Sequence, residues 1–424
     1  MEGDFERIAA GLAGGAEVAL WGAGVSTAAA ARLFAKFGVS CRTYSDAPGG
    51  EPFDASAAGR HRLAVYSPAF RPSHPFFRAA ESAGVRTMGE PDLAGLFWRG
   101  RIIAVSGTNG KTTLTSFLAH ALNSAGIPAV AAGNIGTPLC EFAPGGEGVT
   151  AVCELSSFQG MRLESLRPDA FAWTNFAPDH LDWHADMREY FLAKLNIARR
   201  MRGRTLVAGS GIREAAEEFG AALPEFAEFT EDAQYPAAPA PFDNSVQREN
   251  FALASVLWRK LGLDGEILLR AAEGFSLPPH RLAKCAQIGG VSFWNDSKAT
   301  NAHAAIAALR ELKTRRPFWI GGGKDKFCDD SDLVRAVAEC ARGAALIGQT
   351  AETLKPKLQG LELGAHTCPD MAAAVELAFK KCGDSGDILF SPGYSSFGMF
   401  KSYADRGKSF EEAVLCLKNK KNSK

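Results

Sequence analysis

Short runs of aliphatic and β-branched residues alternate with helical patterns from one end of the chain to the other. That alternation predicts α/β layers built on largely parallel sheets. Val18-Ala19-Leu20-Trp21 reads as a buried strand. It is followed by the turn Gly22-Ala23-Gly24-Val25-Ser26, a helix over 27–37 and a second strand ending at Tyr44-Ser45-Asp46. Arg101-Ile102-Ile103-Ala104-Val105 opens a second block, with a glycine turn and a helix over 114–123. Further strands are predicted over 150–153 and 170–174. A third block begins near His280, after Ser276-Leu277-Pro278-Pro279, and runs to a lysine-rich tail over 418–424. The predicted domains are 1–97, 98–279 and 280–424. The Pro/Ala stretch over 235–242 reads as a surface loop inside the second block, and the tail as a frayed, solvated terminus.

A length of 424 residues agrees with about three domains, at roughly 150 residues each. Lys+Arg and Asp+Glu are both 47, so the chain lacks the basic excess of a protein that works on nucleic acid. The segment from Ile8 to Ala31 is apolar enough to suggest a membrane span. Glu17, Gly22 and Gly24 interrupt it, however, and a strand plus a helix fits better. The acidic start Met1-Glu2-Gly3-Asp4 is unlike a secretory signal. Nine scattered cysteines without a CxxC argue against a disulfide framework or zinc site, and for a reducing cytoplasm.

Two glycine turns carry the candidate chemistry. Gly22-x-Gly24 lies between a strand and a helix, with Asp46 closing the next strand, as in a dinucleotide-binding fingerprint. Thr27 stands where a third glycine would be. The turn could hold a diphosphate at the helix N-terminus or be a tight βα turn with no ligand. Gly107-Thr108-Asn109-Gly110-Lys111-Thr112-Thr113 has the strand–loop–helix context of a phosphate loop. Its backbone N–H groups surround phosphate oxygens, Lys111 supplies positive charge, and the Thr112 hydroxyl can ligate Mg²⁺.

The phosphate loop, in the form GTNGKT, resembles that of the Mur ligase family, which includes the folylpolyglutamate synthases. Four more segments extend the likeness through the second and third blocks, in order. They are Glu154-Leu155-Ser156-Ser157-Phe158-Gln159, the run from Asn175 to His184, Asn295-Asp296-Ser297-Lys298-Ala299-Thr300-Asn301, and Ser391-Pro392-Gly393-Tyr394-Ser395-Ser396-Phe397. Phe400-Lys401 and Arg406-Gly407 follow them. The resemblance implies a Rossmann-like N-terminal domain, a central P-loop ATPase domain and a C-terminal Rossmann-like α/β domain. It implies a cytoplasmic, monomeric enzyme that uses ATP to join glutamate to UDP-N-acetylmuramoyl-L-alanine, with neither nucleic acid nor membrane as partner.

By the same resemblance, Glu154 and Thr112 hold a Mg²⁺ on the β- and γ-phosphates, and His180 ligates a second. Lys194, in Tyr190-Phe191-Leu192-Ala193-Lys194, is expected to be carbamoylated by CO₂ and to support that second ion. Asn250, His280, Arg281 and Asp296 are expected on ATP. Gly22, Gly24, Val25, Ser26, Asp46, Ser67, Asn134 and Ser156 are expected on the UDP substrate. Lys298, Thr300, Lys326, Ser396 and Phe397 are expected around the amino acid. Considered without the family, Glu154 is a solvated strand end, Lys194 a surface lysine, and the His/Asp run at 179–184 only one of several ways to make a metal site.

Gly393 stands where the family more often has Ala, Phe327 where a small residue is usual, and Val246-Gln247 in place of a His-Asn pair. Two other classes remain to be separated from a ligase. A regulatory nucleotide-binding protein would retain the phosphate loop without turnover, and a nicotinamide oxidoreductase would use the first turn but leave that loop unexplained. A sister ligase adding L-glutamate or another amino acid is the alternative within the family.

Overall fold

The computed structural model describes residues 2–234 and 236–422. Met1, Tyr235 and the tail residues Ser423 and Lys424, which entered the reading of the start, the 235–242 loop and the tail, lie outside the described residues.

Three sheets follow one another along the chain. The first contains β1 (Val18–Trp21), β2 (Cys41–Tyr44), β3 (Leu63–Tyr66) and β4 (Arg86–Gly89), all parallel, in the order β2-β1-β3-β4. The second contains β5 (Arg101–Ser106), β6 (Ala129–Gly133), β7 (Thr150–Glu154), β8 (Ala170–Trp173), β9 (Thr205–Ala208) and β10 (Ala227–Phe229). These too are parallel, in the order β10-β9-β8-β5-β7-β6. The third contains β11 (Ala283–Ile288), β12 (Gly290–Asn295), β13 (Phe318–Gly321), β14 (Gly343–Leu346), β15 (Ala365–Thr367) and β16 (Ser385–Phe390). Its order is β11-β12-β16-β13-β14-β15, and β11 alone runs antiparallel.

Each order has a point where the chain reverses its direction of travel across the sheet. The crevice beyond the strand ends at such a point admits a ligand. In the first sheet that point adjoins β1, which leads into Gly22. In the second it adjoins β5, which leads into Gly107.

The chain divides into two compact units. One holds Met1–Phe176, Asp186–Pro239 and Glu249–Phe275, and so both the first and second sheets. The other holds Ala177–Ala185, Ala240–Arg248 and Ser276–Lys424. Two short internal pieces of the stretch 98–279, and its last four residues, thus group with the third sheet.

In the first unit one apolar core runs from Phe5 and Leu33 through Phe97 and Trp98 to Phe171 and Trp173, joining two sheets that the sequence places in separate domains. A second cluster on the first sheet is largely aromatic. Trp21 lies 4.9 Å from Phe77, 5.0 Å from Phe53 and 5.6 Å from Phe76, ring to ring. In the second unit, separate cores cover the two faces of the third sheet.

Two elements differ from the sequence reading. A helix at Glu2–Ala13 precedes β1, burying Phe5, Ala9 and Ala13 at helical spacing, with Phe5 stacked on Phe97 at 5.9 Å. The lysine-rich tail is not frayed through residue 422, because it forms the end of the helix Tyr403–Asn422. Phe410 and Val414 anchor that helix in the core, and each such side chain contributes about 1.5–3 kcal/mol on burial. Lys420 pairs with Glu376 at 2.5 Å, and the Lys421 ammonium sits over Phe379 at 4.5 Å. Among the described residues no helix is long and apolar enough to cross a membrane, and all nine cysteines are free.

Candidate active site

The turn after β1 is closed from within. Gly22 has φ 89°, a left-handed conformation open chiefly to glycine. Gly24 is the extended N-cap of the helix Val25–Ala35. Thr27, in the place of a third glycine, donates its hydroxyl to the Gly22 carbonyl at 2.7 Å and so ties the turn to the helix. Val25 is 65% exposed at the mouth. Ser67 joins the turn from β3, its N–H bonded to the Trp21 carbonyl at 3.0 Å. Asp46 follows β2 and meets His74 at 3.1 Å.

The phosphate loop is held from three sides. Gly110 caps the helix Lys111–Ser124 in a left-handed conformation, φ 84°, and a Cβ there would collide with the Asn250 carboxamide oxygen. A Cβ on Gly107 would collide with the Thr174 hydroxyl. That hydroxyl donates to the Asn109 carbonyl at 2.5 Å, and Asn175 accepts from the Asn109 N–H at 2.9 Å. Residues just beyond β8 therefore shape the loop, although the sequence reading gave Thr174 and Asn175 no role.

Both lysines reach the loop. Lys111 Nζ donates to the carbonyls of Gly107 and Thr108, each at 2.9 Å. Lys194 is buried, donates to the Gly107 carbonyl at 2.7 Å and lies over the Tyr190 ring at 4.6 Å. The Tyr190 hydroxyl is 3.1 Å from Thr108 Oγ1. Lys194 is thus no surface lysine, because the helix Met187–Arg199 turns its buried face to the phosphate loop.

Glu154 ends β7, next to β5, and is 2% exposed. Asn134 donates to its Oε1 at 3.2 Å, while the buried Oε2 has no hydrogen-bond partner. A buried carboxylate oxygen without a donor is costly unless a cation or water meets it. Ser156 is occupied differently: it forms a capping box with Gln159 on the helix Ser157–Met161.

The second unit gathers the rest. Asp179 is almost fully buried, accepting from Lys326 Nζ at 2.7 Å and from the Asn301 amide at 2.8 Å. Its second oxygen is 3.6 Å from His180 Nε2. Burial opposes the charge on Asp179, but His180 and Lys326 outweigh it and hold the carboxyl well below the usual range. Lys326 and Thr300 line a small cleft together with Asp179, Asn301, Cys328 and Tyr394. Lys298 Nζ lies over the Tyr403 ring at 4.0 Å. Ser396 is buried, and Phe397 is 60% exposed.

Asp296, just past β12, accepts from Ser391 Oγ at 2.8 Å and from the Leu282 N–H at 3.0 Å. Burial pushes its carboxyl up to about 7. His280, at φ 63°, bonds Asn295 through Nδ1 at 2.9 Å, and burial lowers its basicity. Arg281 beside it is buried as well. Arg406, named in the sequence only as part of a motif, is 1% exposed. Its guanidinium bonds Ser297 Oγ at 3.1 Å and the Tyr394 carbonyl at 2.9 Å, tying together the two loops that carry Lys298 and Ser396.

Two of the replacements have a distinct local geometry. Gly393 has φ 75°, and a Cβ there would press on Leu333 at 2.8 Å. Phe327 holds φ 60° without being glycine, with its N–H bonded to Asp325 at 2.8 Å and its ring 74% exposed.

A parallel sheet whose central strand enters a glycine loop, backed by two lysines and flanked by a buried carboxylate, defines the class of P-loop α/β proteins. The chain belongs to the Mur ligase family. Residues 105–254 match the Mur ligase middle domain. The chain is 31% identical over 410 residues to the UDP-N-acetylmuramoylalanine--D-glutamate ligase of Aquifex aeolicus (strain VF5), covering 93% of this chain and 97% of that relative. It is 35% identical over 401 residues to the ligase of the same name from Thermobifida fusca (strain YX), covering 84% and 85%. The crystal structure of UDP-N-acetylmuramate-alanine ligase MurC from Thermotoga maritima shares the fold. Its TM-score is 0.61 at 15% identity, over 95% of this chain and all of that one.

Proposed function

We propose that this chain is an ATP-dependent ligase that joins D-glutamate to UDP-N-acetylmuramoyl-L-alanine in peptidoglycan synthesis. The observation that carries the reading is likeness over most of the chain to ligases of that name, in a chain with an intact phosphate loop.

Amide formation needs the acyl oxygen converted into a leaving group. A carboxylate oxygen of the L-alanyl substrate attacks the γ-phosphorus of ATP. The bond from that phosphorus to the β,γ-bridging oxygen breaks, and ADP leaves. The glutamate amine, as free base, then adds to the carbon of the acyl phosphate. The tetrahedral adduct expels phosphate with the electron pair of the C–O bond, and the amine proton passes to solvent.

Two anions meet in the first step, repelling by roughly 1 kcal/mol at about 4 Å in water and more in a closed site. Backbone N–H groups of Gly107–Thr113 receive the phosphates, and Lys111 exchanges its loop carbonyls for phosphate oxygens. Lys194 braces the Gly107 carbonyl from below, which supports the loop's shape while Lys111 moves. The donor set fits one Mg²⁺, because Glu154 Oε2 is buried without a partner and Thr112 lies in the first turn of the helix at the loop. Such an ion would neutralise charge on the β- and γ-phosphates.

His180 is assigned as a ligand of a second Mg²⁺, and Lys194, taken by itself, as a carbamate able to support a cation. An ammonium cannot ligate a cation, so this assignment requires the modification. We assign Asn250, His280, Arg281 and Asp296 to ATP. The UDP substrate is assigned to Gly22, Gly24, Val25, Ser26, Asp46, Ser67, Asn134 and Ser156, and the amino acid to Lys298, Thr300, Lys326, Ser396 and Phe397.

Mass analysis of products tests the substrate. With ATP and UDP-N-acetylmuramoyl-L-alanine, D-glutamate gives a product heavier by one glutamyl residue, and L-glutamate and diaminopimelate do not. A product from L-glutamate alone would assign the chain to a sister reaction.

A further inference from the structure

We propose that His74 is a positioning residue for the UDP substrate: it holds the Asp46 carboxylate in the orientation that meets the hydrogen-bond donors of the nucleoside. This inference rests on the UDP-substrate reading above.

Asp46 lies beside the first glycine turn, because the Gly22 N–H bonds the Tyr44 carbonyl at 2.8 Å, two residues before Asp46. The Asp46 side chain is 65% exposed, so it remains open to a ligand. Its Oδ2 meets His74 Nε2 at 3.1 Å. The other ring nitrogen, Nδ1, accepts from the Phe76 N–H at 3.3 Å, capping the helix Pro75–Ser82. A neutral imidazole has one N–H, and Nδ1 is the acceptor, so the proton sits on Nε2 and points at Asp46. One ring therefore does two things: it caps a helix and it orients a carboxylate.

The ring is clamped. Phe70 contacts it edge-on at 4.7 Å and Phe76 at 4.6 Å. Phe70 also covers the glycine turn, because a Cβ on Gly22 would lie 3.2 Å from its ring. The same aromatic group thus shapes the turn proposed for the diphosphate and fixes the adjacent carboxylate. The hydrogen bond from His74 also stabilises the charged form of Asp46 and lowers its pKa. Fixing an exposed carboxylate before the ligand arrives removes part of the ordering cost of binding. Ribose hydroxyls and the uracil imide N–H are the donors such an acceptor suits.

Two substitutions separate the two functions. Asn can imitate Nδ1, so His74→Asn keeps the cap and releases Asp46. Gln can imitate Nε2, so His74→Gln keeps the contact with Asp46 and weakens the cap. Calorimetric titration with UDP is the readout, with a non-hydrolysable ATP analogue and Tm as controls. His74→Asn is expected to weaken UDP binding by about five- to tenfold, with Tm and ATP-analogue affinity unchanged. It should raise the KM of the UDP substrate and leave kcat unchanged. His74→Gln is expected to bind UDP within about twofold of wild type despite a lower Tm.

Wild-type UDP affinity in both variants, or affinity that simply follows Tm, overturns the positioning role. Wild-type protein that fails to bind UDP overturns the substrate reading instead, so the two failures are distinguishable.

Discussion

Gly110 is the residue on which the phosphate loop turns. Its left-handed φ already disfavours other side chains, and the Asn250 carboxamide fills the space a Cβ would need. Gly110→Ala is expected to cost about 1–3 kcal/mol and to abolish ATP-analogue binding, measured by urea denaturation and titration calorimetry. Wild-type affinity in that variant would contradict the geometry. Lys194 makes a second prediction at this scale. Protein equilibrated with ¹³C-bicarbonate should show a carbamate resonance that Lys194→Arg lacks. Absence of the resonance in wild type, together with full activity of Lys194→Arg, would remove the modification from the mechanism.

The phosphate loop was legible in the sequence because its chemistry demands glycines and a lysine at fixed spacing. Asp179, Tyr190 and Thr174 carried no such signal. Their roles depend on which distant loop they face, and only the folded chain brings Lys326 to Asp179, 147 positions away. Thr27 is intermediate: its absence of glycine was visible, but its bond to Gly22 was not.

At the scale of elements, the strands after Val18 and Arg101 were readable because parallel strands buried on both faces appear as short apolar runs. The helix Glu2–Ala13 carries a helical signal, Phe5, Ala9 and Ala13 against Asp4, Glu6 and Arg7, but its second half merges into the apolar run that continues into β1, which blurs its end. The final helix is hard to read from sequence because a lysine run resembles a solvated terminus, whereas Lys420 and Lys421 lie against Glu376 and Phe379.

The helix Glu90–Phe97 makes a prediction about pH. Glu90 is 1% exposed, and its Oε1 accepts from the Cys140 N–H at 2.7 Å. Burial raises its carboxyl from the ordinary 4.5 to about 7. The folded state therefore binds this proton more tightly than the unfolded chain does. Its adverse effect is absent below about pH 4.5 and grows as pH rises to about 7, reaching on the order of 3 kcal/mol. Glu90→Gln should flatten the fall in Tm between pH 5 and about 8. Parallel Tm curves for the two proteins would show that Glu90 carries no such penalty.

For the whole molecule, the residues proposed for the site divide between the two units. Lys111, Glu154 and Lys194 belong to one compact unit, and His180, Lys298, Thr300 and Lys326 to the other. The sequence divides the chain by its three α/β blocks. Packing instead joins the first two through a common core and assigns the loop Ala177–Ala185 to the last, a grouping that local periodicity does not encode. The neutral overall charge suits a protein that meets small anions in local cationic pockets rather than through a broad electrostatic field.

The central claim is that ATP cleavage is coupled to ligation. Phosphate release measured with ATP and Mg²⁺, with each substrate omitted in turn, tests it most directly. Sustained release is expected only when UDP-N-acetylmuramoyl-L-alanine and D-glutamate are both present, one phosphate per peptide bond, and to be lost in Lys111→Ala. Release that is independent of either substrate, or ATP binding with no release under any combination, would contradict the account.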